Sequence, residues 1–395
     1  MNKKTIKKNE AMMLMGRITS KLGNIVFDYA NSILLVDMFK SNSIVLAIYQ
    51  STESIISIIF NLIGGATADK GNKKRILIIT DIMSGILCFL VAMVVKHRLI
   101  AIAMIVANAL LGIITAFNSP TYKSIVREIT NEARIKSYNS IQNGLIEVMH
   151  ICGPIVGAFL VGSIGVEGAL IFDGFTFILS ALGECFLVVN TDIKKQVSMG
   201  CKKMANDIFA GFKYLFGEKK IMTVILISAF INFFMSGYNL LVPYTNIMYE
   251  GVVSNFYAKL LVAQSLGGIL GSIVNAKIKN CSMRFTSLFL LVMGLMMTIV
   301  PVVSKTNMPI FMLVPFFSFA FCVTVYNIRF VTYVQVNTQQ GYIARVFSII
   351  STIAIIFVPI GSFVMSAICN TSQDASFSLI GIGITLLSIV SYLVG

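Results

Sequence analysis

Uncharged apolar runs long enough to cross a bilayer recur along this chain; Ile221–Val242 and Phe285–Val303 are two of them. A bilayer core takes about 20 consecutive apolar residues per helix. A soluble domain usually carries about 25% charged residues, whereas this chain is 56% hydrophobic and 12% charged. In lipid every backbone N–H and C=O must be paired within a helix or around a closed barrel. A barrel would show alternating strands of about 10 residues, and these runs do not alternate. The chain therefore reads as an all-α integral membrane protein.

Twelve spans are expected, near 18–39, 43–68, 76–95, 99–119, 138–162, 168–190, 220–247, 254–276, 284–303, 308–328, 344–368 and 375–394. The net charge of +14 follows from topology, with no need for nucleic acid as a partner. With the N-terminus inside, 26 of the 31 Lys and Arg residues fall on the inner side. That bias obeys the positive-inside rule and predicts both termini in the cytoplasm of a plasma-membrane protein. The basic N-terminus has no short apolar core with a cleavage site after it and does not read as a signal peptide. Seven cysteines without a CxxC pair read as small apolar core residues. Two histidines, His97 and His150, do not support a metal site.

The polar stretch Asn190–Lys220 divides six spans from six. The expected organisation is a bundle over 1–190, a cytoplasmic linker over 191–219 and a second bundle over 220–395. Met204, Ile208, Phe212, Leu215 and Phe216 recur at helical spacing, so the linker is expected to hold an interfacial helix. The halves echo each other. Gly65 and Asp69 match Gly271 and Asn275 at an offset of 206; Pro154 matches Pro359 at 205; Asn24, Asp28 and Asn31 match Asn232, Ser236 and Asn239 at 208. Two pseudo-symmetric six-helix bundles are a frequent basis for alternating access.

The connection Gly65–Arg75 holds Gly65, Asp69, Lys70, Lys73 and Lys74, in a pattern that resembles the loop between spans 2 and 3 of the major facilitator superfamily. Asn72 stands where that family often has glycine. The resemblance implies a twelve-helix fold with Asp69 and the basic residues as a cytoplasmic gate. Gly144, Gly153, Pro154 and Gly157 in span 5 resemble the glycine-proline signature of the family's drug-proton antiporters. Leu22-Gly23, Asp28, Asp81 and the segment from Pro120 through Glu128 to Asn139 look like its macrolide-efflux and enterobactin-exporter branch. Asp81 is accordingly grouped with the gate. Physically, Gly153 and Gly157 share a helix face and permit close approach, and Pro154 bends the helix.

Ionisable groups at bilayer depth are functional candidates by default. Asn24, Asp28 and Asn31 share one face of span 1, and Asn139, Asn143, Glu147 and His150 one face of span 5. Asp28, Glu147 and His150 are the expected proton-coupling groups. Asn24, Asn31, Glu53, Asn139, Asn143, Asn232, Ser236 and Asn239 are the expected cavity residues. Asp173 and Glu184 in span 6 are weaker candidates, and Arg329 reads as an anchor at the inner interface. Acids inside spans all lie in the first half, which predicts coupling there and substrate contacts in the second.

These features point to a proton-coupled exporter of amphipathic small molecules, such as drugs, macrolides or siderophore-like metabolites. It is expected to act as a monomer, without a metal or other cofactor. The alternatives are an importer or uniporter of a polar nutrient and a lipid scramblase. Nothing gathers a nucleophile, base and metal as an enzyme requires, and no phosphate-binding Gly-x-x-x-x-Gly-Lys-Ser/Thr loop for ATP is present.

Overall fold

A computed structural model describes residues 3–40, 42–70, 72–95, 99–130, 132–189, 214–278, 282–306, 308–339, 343–371 and 373–394. Among the described residues, eleven long helices carry the fold: α1 (Lys3–Met38), α2 (Ser43–Lys70), α3 (Lys73–Val94), α4 (Ile100–Ile129), α5 (Glu132–Cys185), α6 (Lys219–Leu241), α7 (Phe256–Lys277), α8 (Met283–Thr298), α9 (Pro309–Asn337), α10 (Ile343–Ile368) and α11 (Ala375–Val394). Helix α5 is two spans in one. Gly165 breaks it at φ 71° and ψ 179°, a backbone state that requires glycine. The break falls between the expected spans 5 and 6, so the helices provide the twelve crossings of the fold. Among the described residues, seven stretches meet a strict length and hydropathy criterion for a span.

Several helices outrun their apolar windows. Helix α1 has 36 residues, about 54 Å of rise, and begins well before the expected span at 18. Helix α4 continues through Pro120 to Ile129, and α2 runs to Lys70, leaving only Gly71 and Asn72 between α2 and α3. Asn72 caps α3: its side chain accepts from Arg75 N at 3.1 Å. The expected interfacial helix over Met204–Phe216 lies almost wholly outside the described residues.

The chain forms two compact units, Met1–Leu35 with Thr52–Ser198 and Val36–Ser51 with Met199–Gly395. Residues 36–51 join the second unit, where Ser43 Oγ donates to Ser366 O at 3.1 Å and Gln50 Nε2 to Asn239 O at 3.2 Å.

Helix contacts inside each unit are made where small residues let backbones meet. In the first unit, Gly85 of α3 lies against Gly174 and Ile178 in the second limb of α5. Gly112 of α4 lies against Ile56 of α2, and Gly153 in the first limb of α5 against Ile25 of α1. In the second unit, Gly294 of α8 meets Gly381 of α11, Gly267 of α7 meets the Phe317 carbonyl of α9, and Gly361 of α10 meets Phe233 of α6. Counted as spans, both units pair third with sixth, second with fourth and first with fifth. The repeat glimpsed in the sequence is therefore a repeat of packing.

Candidate functional site

The first unit holds a cavity of ≈ 210 Å³ walled by four helices and the second limb of α5. Helix α1 presents Arg17, Lys21, Asn24 and Asp28; α2 presents Glu53; α3 presents Asp81 and Ser84. Helix α4 presents Asn108, Thr115, Asn118 and Tyr122, and α5 presents Ser180 and Glu184. The wall is predominantly polar because on each helix these positions recur every three or four residues, a stripe opposite the lipid-facing Ile, Leu and Met.

Asp81 is 5% exposed and accepts from Asn118 Nδ2 at 2.9 Å; the same amide donates to Thr80 Oγ1 at 2.8 Å. Arg17 lies over the Tyr122 ring, 4.7 Å from its centre, and within Coulombic reach of both Asp81 and Glu184. Tyr122 shares a 2.8 Å hydrogen bond with Tyr138. Glu184 Oε2 and Arg17 Nε are buried and have no hydrogen-bond partner among the described residues. One wall of the cavity thus has an open acceptor and an open donor.

Asp28 and Asn24 line this cavity, Asp28 with an exposed side chain, whereas Asn31 is wholly buried and stands outside the lining. Asp28 is therefore an acid at the cavity surface. The fully buried acid is Asp173, which accepts from Cys88 Sγ at 3.3 Å and Thr176 Oγ1 at 3.2 Å. Glu53 lines the cavity and is exposed. Along the span 5 stripe, Asn139 is exposed and His150 half-buried, and neither lines this cavity. The side chains of Asn143 and Glu147 lie outside the described residues. Pro154 is buried, Gly153 and Gly157 abut Ile25 and Tyr29 of α1, and Gly144 faces open space.

The second unit holds a smaller cavity of ≈ 150 Å³, lined by Ser228, Asn232, Ser236 and Asn239 of α6 with Met293, Tyr326 and Asn327. Among the described residues, no charged side chain lines it. Asn232 Nδ2 donates to Ser228 O at 3.0 Å and Ser236 Oγ to Phe233 O at 2.8 Å, so helix carbonyls partly satisfy the polar stripe. Arg329 is 5% exposed, deep in α9, with its guanidinium 5.1 Å from the Phe285 ring centre. It is a packed cation that donates to Ile278 O, at the C-terminal cap of α7, at 3.5 Å.

At the end of the first unit that holds the α2–α3 turn, Lys73 pairs with Glu128 of α4, and Lys74 Nζ donates to the carbonyls of Cys185 at 2.7 Å and Leu187 at 2.9 Å. Cations at a helix C-terminus satisfy its unpaired carbonyls. Gly65, Asp69 and Lys70 lie on the last turns of α2, and their side chains are outside the described residues. Asp81, grouped with them from sequence, stands in the cavity wall instead. The N-terminal extension of α1 ties the same end together. Asn9 Nδ2 donates to Val188 O at 2.7 Å, and Glu10 accepts from Arg134 Nε at 2.8 Å, Arg134 Nη2 at 2.6 Å and Thr130 Oγ1. The Arg134 guanidinium holds the Glu10 carboxyl below its usual range.

Sequence reasoning missed Arg17, Ser84, Asn108, Asn118 and Tyr122. The signal was present: Asn108, Thr115, Asn118 and Tyr122 form a polar stripe on α4, and Arg17, Lys21, Asn24 and Asp28 one on α1. From sequence alone Arg17 reads as one of the inner-side cations.

The profile of the Major Facilitator Superfamily matches residues 13–362. Two uncharacterized MFS-type transporters of Bacillus subtilis (strain 168) are similar in sequence. YkuC is 23% identical over 292 residues, 69% of this chain, and YfmI is 23% identical over 283 residues, 68% of it. Each match spans 66% of the relative's own length. Among solved structures, a bacterial homologue of the iron transporter ferroportin, in an inward-facing state, superposes with a TM-score of 0.77 at 14% identity, covering 100% of this chain and 99% of that one. The nucleoside transporter NupG superposes with a TM-score of 0.76 at 12% identity, covering 98% of both chains. With its profile matched over most of its length, the chain belongs to the Major Facilitator Superfamily.

Proposed function

We propose that this protein is a secondary active transporter of the plasma membrane that exports amphipathic small molecules in exchange for protons by alternating access. The observation that carries this reading is the contrast between the two cavities. The first is lined by Asp28, Glu53, Asp81 and Glu184 together with Arg17 and Lys21; the second is lined by neutral Asn, Ser, Tyr and Met. Acidic and basic side chains in the lining of the first cavity, and none among the described lining of the second, suit proton exchange in the first. A neutral wall with adaptable methionine suits a partly apolar solute in the other. The two units would then act as the halves of an alternating-access device, with a linker over 191–219, the Gly65–Lys74 hairpin at the cytoplasmic gate, both termini inside, and the monomer as the working form. Export in particular is supported by the resemblance of span 5 to antiporter signatures.

A second reading, uptake or uniport of a polar nutrient, is favoured by the predominantly polar wall of the first cavity. One experiment separates the two. Purified protein in proteoliposomes is given an imposed pH gradient and screened with cationic, neutral and anionic amphiphiles beside nucleosides and sugars. Uphill movement of an amphiphile that collapses with a protonophore supports exchange export. Gradient-independent equilibration of a polar solute supports the second reading and sinks the first.

A further inference from the structure

The sequence reading assigned proton coupling to Asp28, Glu147 and His150, yet the most constrained titratable groups of the first unit stand elsewhere. Arg17 of α1, Asp81 of α3 and Glu184 in the second limb of α5 converge on one wall of the cavity. Both acids are 5% exposed. Asp81 has donors in Asn118 at 2.9 Å and, beside it, Ser180. Glu184 Oε2 is buried with no hydrogen-bond partner among the described residues, although it faces the cavity.

The charge balance of the cluster is decisive. Two carboxylates and one guanidinium sum to one negative charge. Leaving a net charge in a low-dielectric wall is costly, and such a group changes its protonation state before it tolerates that. One proton on the cluster makes it neutral. Of the two acids, Asp81 already has neutral donors that stabilise its charged form, whereas Glu184 Oε2 has none. The proton therefore belongs on Glu184.

We infer that Glu184 is the proton-carrying residue of this unit, with Arg17 as its internal counter-charge and Asp81 as the second acid that shares Arg17. This rests on the proton-coupled reading above. The step is proton binding alone. Solvent entering the cavity delivers H⁺ to the Glu184 carboxylate, giving the neutral acid, and Arg17 is then left to Asp81. Loss of the same proton restores the carboxylate, and Arg17 divides its attraction between both acids. The other groups facing this wall are Lys21 and Asp28 on α1, Glu53 on α2, and Tyr122 on α4. Asp28 and Glu53 are exposed, so water screens them more than it screens the two buried acids; Arg17 and Lys21 are both half-buried, and it is Arg17 that lies within Coulombic reach of both acids. Asp173, farther along α5, is held by Cys88 and Thr176 and does not line the cavity.

The test uses the full chain in proteoliposomes with the membrane potential clamped at zero. For a one-proton exchange, one pH unit supports up to about tenfold accumulation. Glu184→Gln is expected to abolish that accumulation, bringing the ratio to about one. Glu184→Asp is expected to restore part of the uphill movement. Infrared difference spectra between acid and alkaline pH, which need no transport, should lose one protonated-carboxyl band in Glu184→Gln and keep it in Asp28→Asn. Retained uphill accumulation by Glu184→Gln, or an unchanged carboxyl band, overturns the assignment. A parent protein that shows no gradient-driven transport of any solute but still loses the carboxyl band in Glu184→Gln overturns the coupled reading and leaves the proton site standing.

Discussion

Adding one methyl group at successive glycines of the span 5 signature should give opposite results at Gly144 and Gly153. A Cβ built on Gly153 would lie 2.6 Å from Ile25 Cγ2, 3.0 Å from Ile25 Cβ and 3.1 Å from Ile25 Cδ1. Carbon atoms pack best at about 3.5–4.0 Å, so either Ile25 leaves its rotamer or α1 and α5 move apart. Overpacking of that kind typically destabilises by about 1–3 kcal/mol. Against this stands the helix-propensity gain of alanine over glycine, about 1 kcal/mol. The net expectation for Gly153→Ala is a loss between about 0 and 2 kcal/mol. At Gly144 nothing lies within 4 Å of the added carbon, so only the gain remains and Gly144→Ala should stabilise by up to about 1 kcal/mol. The two variants should thus differ by about 1–3 kcal/mol in opposite directions from the parent, read as half-denaturation temperatures of the detergent-solubilised protein. Gly157→Ala, whose Cβ would meet Tyr29 Cγ at 3.1 Å, should fall between them. If Gly153→Ala stabilised as much as Gly144→Ala, the close α1–α5 approach would be wrong, and with it the packing account of this signature.

Three further outcomes are expected. The Lys73 and Glu128 side chains are only 18% and 16% exposed, so Lys73→Met or Glu128→Gln alone should destabilise by about 1–3 kcal/mol by stranding a charge; the exchanged pair, Lys73→Glu with Glu128→Lys, should regain most of it in thermal denaturation. Removing the Asn72 cap by Asn72→Ala should cost about 1 kcal/mol, whereas Asn72→Gly should cost only a few tenths, a ranking that thermal unfolding of the two variants checks. Glu10 has a lowered pKa, so its pairing with Arg134 and Thr130 contributes stability fully above the usual value of 4.5 and loses it as pH falls through the lowered value; melting temperatures measured across acid pH should show a slope that Glu10→Gln flattens.

The fold was legible because lipid leaves few solutions for so many uncharged runs, and the spacing of those runs fixed the order of spans to within a few residues. Helix ends were less legible. Hydropathy registers where lipid begins, not where hydrogen bonding stops, so the aqueous turns of α1, α2 and α4 were invisible to it. The cavity was half legible. Asn24, Asp28 and Glu53 lie in its wall, and Asn232, Ser236 and Asn239 line the second cavity. Asn31 shares their helical face within the usual tolerance, but that face is wide and the packed neighbours decide which edge of it stays open. Arg17 and Asp81 read from sequence as topology and gate residues because a residue near a span end reads as interfacial until neighbouring helices are seen to rise past it.

The two units repeat their packing without repeating their charges, and the physics of each explains the difference. Close helix approach depends on small residues at contact points. Every span pair needs such a point, so Gly85, Gly112 and Gly153 have counterparts in Gly294, Gly267 and Gly361. A buried carboxylate, by contrast, is unfavourable wherever it lacks donors and a counter-charge. A proton-exchange site requires only one such cluster per transport cycle. A second cluster in the other unit would add desolvation cost without adding coupling, unless two protons moved per cycle. The neutral Asn and Ser of the second cavity, already partly bonded to their own helix carbonyls, avoid that cost and keep enough polar capacity to meet a solute. On this argument, installing an acid at Ser236, which is 3% exposed, should destabilise the second unit at neutral pH without raising the proton stoichiometry. An increase in protons moved per solute would show that the asymmetry has another origin.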